Sequence, residues 1–336
     1  MNITLISRYF STKNGGAGSY SKLIYEGLKS HENLNINLLS QEDSVISSYN
    51  QLSYLFFTSI DLKRLLNKET YLNSDIYHAL TPLESKYINK QKGVVSVLDF
   101  FPLLEINKTN FSSSIFAKYF DKSIKEAINC ERIIAENPDI EVKLIEDYDV
   151  NESSIAVISP AIDGNYYPKS IENNIFTVGT ISNLMKRKRV DILIKSFLKA
   201  DIPNSQLLIG GNGAEKENLL KLAGNDKRIK FLGFVPDEKM NDFYNSLDVF
   251  VFPTLMEGYG MPIVEAMACG KPVITLKDSI IPSNIKNRTI VCDKKDLSSI
   301  LKSESFDFDK KGNIEFFKQH SIEKISEKIL EVYESI

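Results

Sequence analysis

Short apolar runs alternate with longer amphipathic segments along the whole chain. Runs such as 3–6, 94–98 and 249–252 are short and mostly apolar, which is typical of strands that are buried on both faces of a parallel sheet. Between them lie segments such as 20–28, whose apolar residues recur at helical spacing. The alternation of strand and helix predicts an α/β fold with parallel sheets.

Each half of the chain carries its own series of strands. A chain of 336 residues is long for one core and sufficient for two. We expect a first domain over 1–166 and a second over 167–318, joined by a polar linker near Pro168. A terminal helix over 319–336 has an amphipathic face that would let it cross back to the first domain.

The amino-acid composition is that of an ordinary globular protein and argues against several classes of protein. The net charge of −3 argues against a nucleic acid as the partner. Cys130, Cys269 and Cys292 are far apart and lack metal-ligand spacing, so we expect buried thiols in a reducing compartment. The first residues do not read as a signal peptide, and no stretch approaches the roughly 20 apolar residues of a membrane span.

These features predict a cytoplasmic protein. One segment, 52–68, would also allow peripheral contact with the inner face of a membrane. Its apolar residues surround Lys63 and Arg64, and basic amphipathic helices bind anionic lipid. The same segment would also suit an element facing the acceptor. The plainer alternative is an ordinary amphipathic helix packed on the sheet.

The most informative stretch is 253–272, PTLMEGYGMPIVEAMACGKP. It follows an apolar strand and supplies Glu257 in a glycine turn. A helix comes next, in which Pro262 suits the first turn and Gly270 the stop. Glu265 is expected in or next to that first turn, where open N–H groups and the helix dipole attract phosphate. One carboxylate is thus predicted on the loop and a second near the helix N-terminus.

The pattern E-G-Y-G-M-P-x-x-E-A-M-A-x-G-x-P-V resembles the signature of the retaining GT-B glycosyltransferases of family four, also called glycosyltransferase group 1. The resemblance implies two Rossmann-like, doubly wound domains that face a central cleft. The first, 1–166, would be on the acceptor side, and the second, 167–318, would bind the nucleotide sugar. It implies that Glu257 lies by the donor sugar and that Glu265 binds the ribose. The residues between them that are also expected at the donor are Gly258, Tyr259, Gly260 and Met261. The alternative is a strand–turn–helix corner with two solvated acids.

A basic run, Lys186-Arg187-Lys188-Arg189, lies between a strand end and a helix start. Such a run suits a solvated face, a nucleic-acid or localisation patch, or a phosphate clamp, and its position favours the clamp. The family has a basic pair here that grips the diphosphate, which implies Arg187 and Lys188. Arginine can fork onto phosphate oxygens, and lysine acts as a point charge.

The resemblance implies three further site residues. Gly16, in the Gly-Gly loop after the first strand, would face the donor diphosphate. Phe234 stands at the corner where the family places the nucleotide base. Asp99 follows the strand 94–98 and is expected at the carboxyl edge of the sheet, as a candidate catalytic residue.

The chain also departs from the family pattern. Leu98 replaces the usual histidine, Glu136-Asn137 stands where a serine is usual, and Ser283 replaces a glutamate. His78 would lie close enough to compensate, although a lone histidine at a strand end is more often structural. These departures keep open a catalytically weak or inactive nucleotide-sugar-binding relative. A sugar-nucleotide epimerase or phosphorylase of the same architecture is a further alternative.

The resemblance implies retaining transfer of a sugar from a UDP- or GDP-linked donor to a hydroxyl acceptor, such as a glycan or lipid-linked saccharide. Because the leaving group is a diphosphate, catalysis mainly requires stabilisation of negative charge, which the basic clamp, the helix start and the glycine loop can supply. We therefore expect a metal-independent enzyme without a cofactor. The D-x-D sequence at 307–309 is interpreted as loop, since no strand precedes it and two lysines follow.

Overall fold

The structure, a computed structural model, describes residues 1–10, 15–46, 51–88, 90–104, 111–162, 166–171 and 174–336. Its contacts divide the chain into two compact units, Met1–Asp163 with His320–Ile336, and Gly164–Gln319. The boundaries expected after residues 166 and 318 lie three residues and one residue away from these.

The first unit is built on a sheet of six parallel strands in the order β2-β1-β3-β4-β5-β6. The strands are β1 (Asn2–Ser7), β2 (Asn35–Ser40), β3 (Ile76–Ala79), β4 (Gly93–Val97), β5 (Arg132–Ala135) and β6 (Ile155–Val157). The second unit has its own sheet of six parallel strands in the order β12-β11-β10-β7-β8-β9. They are β7 (Phe176–Ile181), β8 (Ser205–Gly210), β9 (Ile229–Gly233), β10 (Val249–Phe252), β11 (Val273–Leu276) and β12 (Ile290–Cys292).

Helices cover these sheets. In the first unit they are α1 (Gly15–Lys29), α2 (Gln51–Phe56), α3 (Leu62–Leu66), α4 (Glu69–Leu72), α5 (Phe111–Ala127) and α6 (Pro138–Tyr148). In the second unit they are α7 (Val190–Ala200), α8 (Lys216–Ala223), α9 (Asp237–Asn245), α10 (Met261–Ala268), α11 (Ser283–Lys286), α12 (Leu297–Lys302) and α13 (Lys310–Lys318). The terminal helix α14 (Ile322–Glu334) belongs to the first unit.

The predicted parallel α/β fold with two sheets is confirmed. In the second unit the strand order reverses between β7 and β10, which is the order of a doubly wound Rossmann sheet. In such sheets ligands bind outside the carboxyl ends of the strands at the point of reversal. The loops after β7 and β10 therefore hold the site that the topology favours.

The segment from α2 to α3 packs as an ordinary helix on the first sheet. A π-helical stretch, Phe57–Asp61, joins the two helices. Tyr54, Phe57, Leu62 and Leu65 are buried in the cluster that covers this face. Among the described residues, no helix combines the length and apolar character needed to cross a membrane.

The three cysteines are buried and free, as predicted. His78, in contrast, does not serve as a ligand-facing side chain. It is fully buried, its Nδ1 lies 2.6 Å from the Tyr333 hydroxyl of α14, and its Nε2 lies 2.8 Å from Ser96 Oγ. Burial lowers the pKa of His78 to about 3, so the ring is neutral at neutral pH. The ring thus joins α14 to the sheet.

We expect Tyr333→Phe to lower the free energy of unfolding by about 1–3 kcal/mol, because a buried ring nitrogen of His78 loses its hydroxyl partner. Urea unfolding followed by circular dichroism measures the change. Tyr167→Phe, at an exposed position of the second unit, is the control and should unfold like the parent chain. Equal stability of the two variants would contradict a structural role for the His78–Tyr333 contact.

Candidate functional site

Two loops of the second unit meet where its strand order reverses. One, residues 182–189, follows β7, and the other, residues 253–260, follows β10. The backbone N–H of Leu255 donates to the Arg187 carbonyl over 2.7 Å, which joins the two loops directly. The basic run and the Glu257 loop, 69 residues apart in sequence, are therefore neighbours in the fold.

A tight glycine turn fixes the path of the first loop. Gly211, after β8, has φ +101°, and a Cβ there would lie 1.8 Å from the Ser182 carbonyl oxygen. The Leu184 N–H also donates to the Asn212 carbonyl over 2.8 Å. Only glycine permits this close approach. The tight turn at 210–213 thus supports the loop that carries Arg187 and Lys188.

Glu257 is the centre of a polar cluster. Its Oε1 accepts hydrogen bonds from Lys188 Nζ at 2.6 Å, Thr254 Oγ1 at 2.6 Å and Arg187 Nη1 at 3.3 Å. The side chains of Lys188 and Glu257 are only 9% and 11% exposed. The structure therefore brings together the predicted diphosphate clamp and the predicted sugar-binding acid.

Lys188 is an unusual cation because most of its side chain is buried. Burial lowers the pKa of its amine, whereas the Glu257 carboxylate acts in the opposite direction. Its Nζ also lies 4.9 Å from the centre of the Phe252 ring. The carboxylate and the ring favour the charged amine that burial alone would disfavour.

Arg189 fastens the loop that carries Glu257, a role that the sequence did not predict. Its backbone has φ +51°, an uncommon conformation for a residue other than glycine. Its guanidinium donates to the carbonyls of Pro253 and Thr254, both at 2.7 Å, and lies 2.9 Å from Asp278 Oδ2. Although burial acts to raise it, contacts with Arg189 and Lys294 lower the pKa of Asp278 to about 2.

Only the structure separates the members of the basic run by role. Arg189 fastens the Glu257 loop, Lys188 is buried against Glu257, and Arg187 keeps 41% of its side chain exposed. Of the two predicted clamp residues, Arg187 is thus the more accessible to a ligand.

Glu265 is the fifth residue of α10 and comes directly after its first turn. The hydroxyl of Tyr244 donates to Glu265 Oε2 over 2.6 Å. Tyr244 is fully buried, and burial together with the Glu265 charge raises the pKa of this phenol well above its ordinary value. A buried neutral phenol therefore orients the Glu265 carboxylate, a contact that no sequence pattern indicated.

The other predicted donor residues differ in exposure. Tyr259 is 4% exposed and Gly260 is buried, whereas Gly258 and Met261 are partly exposed. Phe234 directly follows β9 and is 74% exposed. An exposed ring at the carboxyl edge of the sheet is suited to stacking on a planar base.

Two predicted site residues lie in the first unit. Gly16 is exposed near the start of α1, and a Cβ there would have no atom within 4 Å, so packing does not require glycine at this position. Asp99 is half-buried after β4, and its Oδ1 accepts a hydrogen bond from the Phe101 N–H at 2.9 Å.

Of the two acids in the D-x-D sequence of the second unit, Asp309 has a structural role. Asp309 Oδ1 accepts the Gly312 N–H at 2.8 Å and caps α13, while Asp307 lies in the preceding loop, as predicted. Within the part of the chain that the structure describes, no group of three or more His, Cys, Asp or Glu side chains has an arrangement that could hold a metal ion.

Comparison with known families matches residues 168–303 to the glycosyl transferases group 1. The matched segment lies within the second unit. It contains the basic run, the Glu257 loop and Glu265. The family resemblance inferred from residues 253–272 is therefore confirmed.

Curated proteins that are similar to this chain match parts of it. O-antigen chain mannosyltransferase B of Escherichia coli is 25% identical over 202 residues, which are 54% of this chain and 53% of that protein. O-antigen biosynthesis glycosyltransferase WclY of Escherichia coli is 30% identical over 135 residues, 39% of this chain and 37% of that protein. The chain thus spans about half, or less, of the length of these curated relatives.

A solved structure matches the whole chain. HepE of Anabaena, in complex with UDP and glucose, gives a TM-score of 0.70 at 18% identity and covers 100% of both chains. At this identity the likeness shows the fold alone. The predicted GT-B architecture is confirmed.

Proposed function

We propose that this protein is a retaining glycosyltransferase, which moves a sugar from a nucleoside diphosphate sugar to a hydroxyl of a glycan or lipid-linked saccharide. The observation that carries the proposal is the cluster of Arg187, Lys188 and Glu257 at the strand reversal of the segment that matches the glycosyl transferases group 1. UDP-glucose and GDP-mannose are the first donors to test. HepE was solved with UDP and glucose, and one relative is named a mannosyltransferase.

The cluster suits a diphosphate leaving group. An ammonium has three N–H donors, so Lys188 can keep its bond to Glu257 and still donate to a phosphate oxygen. Arg187 is exposed enough to add a forked contact from the surface. Both charges stabilise the diphosphate as the bond between the anomeric carbon and the phosphate oxygen breaks.

In this mechanism the acceptor hydroxyl attacks on the face that the diphosphate leaves. A new bond forms between its oxygen and the anomeric carbon, and its proton passes to the departing phosphate oxygen. The protein need not supply a nucleophile. Glu257 orients the transferred sugar, and Glu265, held by Tyr244, accepts the ribose hydroxyls.

A second candidate is a binding relative that keeps the nucleotide site without turnover. Leu98 and Ser283, which replace a histidine and a glutamate of the family pattern, favour it. Nucleotide binding without consumption of any donor would support this candidate. An epimerase or a phosphorylase would be recognised by its products, because neither transfers a sugar to an acceptor with release of nucleoside diphosphate.

We place the reaction in the cytoplasm, because three free buried cysteines suit a reducing compartment. A lipid-linked acceptor would bring the protein to the inner face of a membrane, and the exposed Lys63 and Arg64 of α3 are the basic residues of the segment that we considered for such contact.

Lys188→Ala should lower nucleoside diphosphate release by about 10²–10³-fold, since a cation that stabilises the departing charge is lost. The measurement is release of UDP or GDP from the donor, with circular dichroism to confirm folding. Lys186→Ala, an exposed neighbour of equal charge, is the control and should stay within about threefold of the parent. Near-normal activity of a folded Lys188→Ala protein would refute the clamp.

Glu265→Gln and Glu257→Gln should fail in different ways. The first should weaken binding of free UDP as well as of the donor, because the ribose loses its carboxylate. The second should leave the affinity for UDP nearly unchanged and lower turnover. Isothermal titration with UDP beside transfer kinetics separates the two. If both variants bind UDP like the parent, or both lose it equally, this division of roles is wrong.

Activity should persist in excess EDTA, since the clamp supplies the positive charge that a divalent cation would otherwise bring to the diphosphate. The rate of donor consumption is compared before and after dialysis against the chelator. Loss of activity that magnesium or manganese restores would show that the enzyme needs a metal.

A further inference from the structure

We propose that Asp99 and Glu136 form the receptor for the acceptor sugar, with Asp99 accepting a hydrogen bond from one acceptor hydroxyl and Glu136 donating one to a neighbouring acceptor oxygen. This inference rests on the proposed function. It assigns Asp99 to acceptor binding rather than to the chemical step. It also gives a role to Glu136, which lies where the family usually has a serine.

The sheet of the first unit brings the two acids together. Val97, the last residue of β4, pairs with Ala135, the last residue of β5. The Glu136 N–H then donates to the Val97 carbonyl over 3.1 Å, so the two chains are still in register as they leave the sheet. Asp99 follows Val97 by two residues. Both acids thus emerge from adjacent strands at the carboxyl edge, where ligands of parallel α/β sheets bind.

Asn137, the polar residue next to Glu136, has a structural role. Asn137 Oδ1 accepts the N–H groups of Asp139 and Ile140 at 3.1 and 3.2 Å and so caps α6. This cap fixes the direction in which the chain turns after Glu136. Of the Glu136-Asn137 pair, Glu136 is therefore the residue available for a substrate.

The two acids differ in environment. Glu136 is 7% exposed, whereas Asp99 is half-buried. Burial, and then the negative charge of Asp99, raise the pKa of Glu136 well above its ordinary value. Tyr20 of α1 also lies close to Glu136, and it contacts Ser96 Oγ through its hydroxyl at 2.8 Å. A neutral phenol on that side supplies no positive charge that would ionise Glu136.

Burial and a neighbouring carboxylate both favour the protonated form of Glu136. Glu136 then has an O–H to donate, and the Asp99 carboxylate has lone pairs to accept. A sugar presents hydroxyls that can do both, so the pair matches neighbouring hydroxyls of a neutral saccharide. A phosphate or carboxylate at this position would meet the negative charge of Asp99. The proposal therefore assigns a neutral polyhydroxyl group to this part of the acceptor.

Saturation-transfer NMR on the UDP-loaded protein tests this without requiring turnover. The probes are methyl α-glucoside, methyl α-galactoside and methyl α-mannoside, and the 6-phosphate of each. We expect at least one neutral glycoside to bind, about tenfold more tightly than its phosphate. Glu136→Ala and Asp99→Ala should each weaken that binding by about tenfold, the usual worth of one hydrogen bond to a charged or buried group.

Glu136→Gln is the decisive variant. An amide donates a hydrogen bond as a protonated acid does, so binding should stay within about threefold of the parent. Glu131→Gln, at the exposed amino end of β5, is the matched control. The affinity for UDP, measured by calorimetry, should not change in any of these variants. Circular dichroism with thermal unfolding confirms that the first unit stays folded.

Three results would overturn the proposal: no neutral glycoside binds, binding is unchanged by Asp99→Ala and Glu136→Ala, or Glu136→Gln weakens binding as much as Glu136→Ala does. Tighter binding of the phosphates would also contradict it. If the glycosides bind as expected but no donor is consumed, the proposed transferase activity fails while the acceptor receptor stands.

Discussion

Lys188 carries a positive charge in a buried position, and a buried charge requires a partner of opposite sign. The other contacts of the candidate site serve to keep that partner, Glu257, in place. Taking an amine out of water is costly, and the pair with Glu257 offsets part of that cost. The carboxylate can fill this role only if the loop after β10 stays in place. Arg189 meets that condition by binding the Pro253 and Thr254 carbonyls of the same loop. Removing either contact would leave the buried Lys188 amine without the partner that favours its charge.

The sequence predicted the frame of this arrangement well. The apolar runs 3–6, 94–98 and 249–252 correspond to β1, β4 and β10, and the stretch 253–272 identified the loop, the helix and both glutamates. Helices α8, α12 and α13 were not predicted. Their apolar faces are short, so their positions depend on packing in the second unit more than on a local pattern.

The contacts within the site could not be predicted from the sequence either, because they also depend on packing between distant parts of the chain. Lys188 meets Glu257 only because β7 lies beside β10, and that neighbourhood is a property of strand order rather than of any local pattern. The same holds for Tyr244, which reaches Glu265 from the preceding helix. For His78 the sequence favoured a structural role, but it could not show that α14, more than 240 residues later, covers the ring. Long-range packing decides which polar residues remain accessible.

The first unit consists of two separate segments of the chain, which has a consequence for the order in which the protein folds during translation. Ile325 and Ile329 of α14 complete the apolar cluster on one face of the first sheet, yet the whole of Gly164–Gln319 separates them from the rest of that unit. During translation the ribosome must finish the second unit before α14 emerges. Until then the face of the sheet around His78 lacks its cover and remains open to chaperones or to association with other chains. The unit that begins the chain is therefore the last to complete its core.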